Sequence, residues 1–91
     1  MKVVFTDEAL RDLDDILTYI TLHYPGVLPA FELRLRAVFD RLTSFPESAQ
    51  EVLQRPGVRM VPLLRYPYKI FYQVSGDRIE VLHIHHGAQQ F

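Results

Sequence analysis

The sequence predicts an α+β domain with element order β-α-α-β-β-β, its helix hairpin packed on one face of a small, mostly antiparallel, twisted sheet. Three observations carry this. Two stretches before residue 46 repeat apolar residues at three- and four-residue spacing. Everything after residue 57 is rich in β-branched and aromatic residues. The turn Ser75-Gly76-Asp77 then divides Tyr66 to His86 into two strand-like runs. Helices that precede a run of antiparallel strands collect on one face of the sheet.

In chain order, Lys2 to Phe5 is short, β-branched and apolar, and reads as a strand. Thr6 is placed to cap a helix whose first turn holds Asp7 and Glu8, where the helix dipole favours negative charge. Phe5 and Leu10 flank that cap as a hydrophobic staple would. Ala9, Leu13, Ile16, Leu17 and Ile20 form the apolar face; Arg11, Asp12, Asp14, Asp15 and Thr18 form the wet one. Tyr24-Pro25-Gly26 ends the helix. Pro29 suits the first turn of a second helix, with Phe31, Leu35, Val38, Phe39 and Leu42 as its stripe and Phe45-Pro46 as its end. The link is short, so the two helices are expected to lie antiparallel.

Residues 47–57 read as a connector without a period, and Val58 to Leu64 as a strand, at an edge or irregular because of Pro62. A two-residue turn at Gly76-Asp77 predicts that Val74 faces Ile79, Tyr72 faces Val81 and Ile70 faces His83. Tyr68, Ile70, Tyr72, Val74, Ile79 and Val81 then share the drier face, which the helices cover. Lys69, Phe71, Gln73, Arg78, Glu80 and Leu82 share the other. Setting Leu64 opposite Tyr68 would put Met60 across from Tyr72 and Val58 across from Val74. Arg59 then lands on the wetter face beside Gln73.

Ninety-one residues suggest one domain, spanning residues 1–91, that buries roughly 60% of its unfolded surface. With 48% hydrophobic and 23% charged residues, the composition is that of a folded chain. The absence of cysteine excludes disulfides and thiolate metal sites. No apolar run approaches the roughly 20 residues of a membrane span, and the N-terminus lacks a signal-peptide pattern. The expected compartment is the cytosol. Residues 1–51 carry five basic and nine acidic groups, whereas residues 52–91 carry five basic and two acidic. The sheet half is thus mildly cationic, which reads as solvated helix faces and chance or, more sharply, as a surface meeting an acidic partner or nucleic acid.

His83 and His85 share a strand face and His86 points the other way; beside them in sequence the only carboxylate is Glu80. No metal and no cofactor are expected. Asp12, Asp14 and Asp15 spread over more than half a helical turn and read as a solvated face. Tyr68 and Tyr72 read as core-facing aromatics whose hydroxyls reach the rim.

The succession Phe5-Thr6 with Ala9 and Asp12-Leu13, Ile16 with Tyr19-Ile20, Leu42 with Phe45-Pro46, Gly57-Val58-Arg59, Tyr68 to Tyr72, and Ile79 to Leu82 with Ile84 and His86-Gly87 resembles the ParE/RelE superfamily of bacterial toxins from type II toxin–antitoxin systems. The resemblance spans nearly the whole chain. It implies the same helix-hairpin-on-sheet fold and a neighbouring antitoxin that neutralises the toxin by wrapping a segment around it, in a toxin–antitoxin hetero-oligomer. It also implies one of two mechanisms. ParE-like members bind DNA gyrase. RelE-like members cleave mRNA on the ribosome and rely on basic sheet residues, an arginine near the end and often a C-terminal tyrosine.

RNA cleavage needs a base, an acid and cationic support for the phosphate. Here Gly87 and Ala88 stand where RelE-like chains place arginines, and Phe91 lacks a hydroxyl. The ParE-like branch is therefore preferred, with no catalytic residue. Candidate contacts to target or antitoxin are Arg59, Arg65, Lys69, Gln73, His85 and His86. The RelE-like alternative would use Arg59, Lys69 and His86, and a further alternative is a non-toxic binding module on the toxin fold.

Overall fold

A computed structural model describes residues 1–87. The chain runs through β1 (Lys2–Phe5), α1 (Asp7–His23), a 3-10 turn (Pro25–Val27), α2 (Leu28–Ser44), β2 (Gln50–Glu51), β3 (Val58–Leu63), β4 (Tyr68–Ser75) and β5 (Arg78–His86). The strands form one sheet in the order β1-β5-β4-β3-β2. β1 runs parallel to β5, and the other neighbours are antiparallel. The α+β architecture is as expected from the sequence, with one strand added: Gln50 and Glu51, read as connector, pair with Met60 and Arg59 at the sheet edge.

The helix ends follow local chemistry. The Thr6 hydroxyl accepts the Ala9 N–H at 3.2 Å and donates to Leu82 O at 3.0 Å, so one side chain caps α1 and pins it to β5. Phe5 does not staple to Leu10, which is half exposed; its ring instead meets Phe39 edge-on at 5.4 Å. Pro29 lies in the first turn of α2, and Tyr24 and Phe45 are the C-caps.

Ala9, Ile16 and Ile20 of α1 and Phe31 of α2 close over Leu63, Ile70, Val81 and Ile84. Leu42 closes over Tyr72 and Ile79. Burial of these apolar side chains is the main favourable term, at about 1.5–3 kcal/mol for each large one.

Two register expectations fail, each by one residue. The β4–β5 ladder begins as expected, with Val74 opposite Ile79 and Tyr72 opposite Val81. Phe71 then lies opposite His83, so Leu82 is an extra residue in a bulge. Ile70 consequently faces Ile84, not His83. The bulge places Ile84 in the core, where a histidine would be a poor substitute, and turns His83 and His85 to the open face.

The second slip is in β3. Leu63, not Leu64, lies opposite Tyr68, and the link is a four-residue turn with Arg65 at φ 75°. A slip of one residue exchanges faces. Arg59 therefore lies opposite Tyr72, on the helix-covered side, while Val58, Met60 and Pro62 lie opposite Gln73, Phe71 and Lys69 on the open side. That side is less wet than its sequence suggests, since Val58 and Phe71 are both buried.

Candidate functional site

Among the described residues the open face of β4 and β5 gathers Lys69, Phe71, Gln73, Glu80, His83 and His85. Lys69 lies between Pro62 of β3 and His85 of β5. Gln73 Nε2 donates to Glu80 Oε1 at 2.9 Å, and Arg78 stands 3.5 Å from the other Glu80 oxygen. The Phe71 ring lies 5.4 Å from that of His85, and His85 lies 5.0 Å from His83. Burial holds the His85 imidazole below its ordinary value, and the neighbouring His83 and Lys69 act in the same direction against the pull of Asp12.

Asp12 is the residue whose role the sequence did not reveal. It lies on α1, on the side read as solvated. β1 ends at Phe5, opposite Val81, and β5 continues past it. Asp12 meets that part of β5: its Oδ2 accepts the Ile84 N–H at 3.0 Å and stands 3.6 Å from His83 Nδ1. One donor atom each from Asp12, His83 and His85 falls within 4.8 Å of the others. Asp14 and Asp15 are exposed, as expected of a wet helix face.

The remaining candidates do not converge. The Arg59 guanidinium turns to the segment before β3: Nη1 donates to Glu47 O at 3.1 Å and to Ala49 O at 2.7 Å, and Nη2 is 3.9 Å from Glu51. Arg59 is thus a tie for residues 47–51 and not a cation of the open face, which corrects the sequence reading. His86 lies opposite Tyr68, its ring edge-on at 6.0 Å. Arg59 aligns with Tyr72 and His86 with Tyr68, so four residues of β4, about 13 Å, separate them along the sheet. Lys69 points to the opposite face from both. Arg65 is exposed in the β3–β4 turn. The tail reading rested on Gly87, Ala88 and Phe91, of which Ala88 and Phe91 lie outside the described residues.

A groove of about 580 Å³ opens between α1, the 3-10 turn and the ends of β4 and β5, walled by Tyr19, Tyr24, Tyr66, Tyr68 and His86 with Asp15 at its border. Val27 of its lining is exposed, as is Leu22 near the end of α1. Among the described residues no helix is long and apolar enough to cross a membrane.

Comparison with known proteins agrees with the architecture. Over 94% of this chain and 95% of the other, the fold matches a solved chain from the chromosomal ParDE toxin–antitoxin system of P. aeruginosa, with a TM-score of 0.69 and 24% identity. Protein Y4kP of Sinorhizobium fredii is 33% identical over 94 residues, covering 99% of this chain and 92% of that protein. Toxin RelE2 of Caulobacter vibrioides is 32% identical over 88 residues, covering 97% of each. Residues 3–91 match the family described as ParE toxin of type II toxin-antitoxin system, parDE. With its helices, sheet order and length all in accord, this chain belongs to the ParE toxin family of type II toxin–antitoxin systems.

Proposed function

We propose that this toxin acts without catalysis, by binding DNA gyrase, and that a cognate antitoxin silences it. The observation that supports this over RNA cleavage is the position of Arg59. A ribonuclease of this fold would need Arg59, Lys69 and a terminal histidine around one scissile phosphate, since general acid–base transfer requires hydrogen-bond reach. Arg59 is held by the carbonyls of Glu47 and Ala49, about 13 Å along the sheet from His86, and Lys69 faces away from both.

Binding a large partner requires exposed apolar area, and Tyr19, Leu22, Tyr24 and Val27 supply it around the C-terminal end of α1. An antitoxin segment laid along that end and its groove would bury them. Arg65, Lys69, Gln73 and His85 remain as candidate polar contacts to target or antitoxin.

The decisive experiment runs gyrase supercoiling beside translation-coupled RNA cleavage with the same purified chain. Loss of supercoiling with intact transcripts is expected, and added antitoxin should reverse it. Codon-phased cuts abolished by His86→Ala would establish the RelE-like alternative instead. Expression without any growth defect would establish a non-toxic binding module.

A further inference from the structure

The bulge at Leu82 has a chemical result. It places His83 and His85 two positions apart on the same open face, and α1 brings the Asp12 carboxylate up to them, half-buried, where β5 runs past β1. The three donor atoms lie within 4.8 Å of one another, with His83 Nδ1 and Asp12 Oδ2 at 3.6 Å. A tetrahedral zinc ion with bonds of about 2.0–2.1 Å sets its ligand atoms roughly 3.4 Å apart. The Asp12–His83 pair is already near that spacing, and the His85 donor, within 4.8 Å of both, would have to approach by on the order of 1 Å on binding.

We infer that Asp12, His83 and His85 form a three-ligand site for a zinc-class divalent ion, with a fourth position left to water or to a side chain of a bound partner. This inference is independent of which target the toxin strikes.

The donor set selects the class of ion. Two imidazoles and one carboxylate suit zinc, cobalt, nickel or copper, whereas magnesium and calcium require a shell of oxygens. One carboxylate offsets half the charge of a divalent ion, and Lys69, opposite His85, opposes binding through its own charge. Orientation is partly provided in advance: the Ile84 N–H holds one Asp12 oxygen, as outer-shell donors commonly hold ligating carboxylates. The ligands come from α1 and from β5, so a bound ion would join the first helix to the last strand.

The test uses the full chain, stripped with a chelator and titrated with cobalt(II) and then zinc. Expected are one ion per chain, the intense visible bands of four- or five-coordinate cobalt, displacement by zinc, and a higher Tm with zinc. His83→Ala and His85→Ala should each weaken zinc by more than the roughly 10- to 100-fold typical of losing an outer-shell partner. Asp12→Asn keeps an oxygen for the Ile84 N–H and should weaken zinc while remaining folded. His23→Ala and His86→Ala should leave zinc affinity and stoichiometry unchanged. One readout needs no variant: zinc should move the ring NMR signals of His83 and His85 and leave that of His23 in place. No stoichiometric binding by the wild-type chain, binding that survives both His83→Ala and His85→Ala, or ring shifts confined to His23 or His86 would each overturn the proposal.

Discussion

Asp12 on the first helix accepts the backbone N–H of Ile84, 72 residues further along the chain, at 3.0 Å. Where β1 stops pairing, the next groups of β5 are taken in turn by Thr6, whose N–H reaches Val81 O and whose hydroxyl reaches Leu82 O, and then by Asp12. The helix thus completes an edge that a four-residue strand cannot. A bare strand edge is a template for unwanted pairing, so this cover also protects the sheet.

Removing that acceptor should loosen the end of β5. A hydrogen bond to a charged group contributes more than a neutral one, so Asp12→Ala is expected to cost about 1–2 kcal/mol and Asp12→Asn less. Urea unfolding in the presence of a chelator measures both without interference from metal. Amide exchange should show the Ile84 N–H losing protection first in the alanine variant.

The Tyr72 ring is fully buried, and its hydroxyl donates to Pro46 O at 2.8 Å. Tyr72→Phe keeps the ring and deletes that bond, for an expected loss of about 1 kcal/mol. Burial raises the Tyr72 phenol above its ordinary value of 10.0, while the Ala49 backbone and Arg59 pull it down and Glu47 adds to the rise. The unfolded chain therefore releases this proton first as pH climbs. The stabilisation is complete below the ordinary value and is lost as pH passes through the raised one. Wild-type midpoints in urea should fall above about pH 10, and Tyr72→Phe should flatten that fall. Some alkaline loss should remain, because burial and Tyr19 raise Tyr68 as well.

Arg59 holds the carbonyls of Glu47 and Ala49 and so aligns β2 against β3. Arg59→Ala should cost about 1–2 kcal/mol and expose the Gln50 and Glu51 amides to exchange. Arg59→Lys should recover only part of this, since a single ammonium cannot both hold the Glu47 and Ala49 carbonyls, as Nη1 does, and present a second nitrogen to Glu51. If Arg59 were instead a catalytic cation, alanine would abolish toxicity at unchanged stability.

Much of this fold could be read along the chain because local and tertiary signals agree. Thr6, Pro29 and Phe45-Pro46 mark helix ends by their own chemistry, and the Gly76 turn sets the start of the last hairpin. The bulge was also legible in principle: buried Ile79, Val81 and Ile84 are spaced by two and then by three, a spacing that an unbroken ladder cannot bury on one face. The β3 register was not, because the turn before Tyr68 needs Arg65 in a left-handed conformation that no glycine announces. Arg59 was assigned to the wrong face for that reason alone. Asp12 was misread because helical periodicity describes a face and not its neighbour; only the shortness of β1 brings it to β5.

Arg65 offers a test that separates stability from function. Its φ of 75° lies where an L side chain costs about 1–2 kcal/mol, and glycine recovers this less roughly 0.5–1 kcal/mol of added chain entropy. Arg65→Gly is therefore expected to stabilise the chain by about 0.5–1 kcal/mol, read as a higher urea midpoint at an unchanged slope. Under the proposed function Arg65 also presents an exposed cation to a macromolecular partner. The same substitution should then weaken gyrase inhibition or antitoxin binding, and Arg65→Lys should preserve the charge-dependent part of that contact without the gain in stability. A more stable variant with undiminished activity against gyrase and undiminished affinity for antitoxin would remove Arg65 from both interfaces and leave its conformation as a feature of the turn alone.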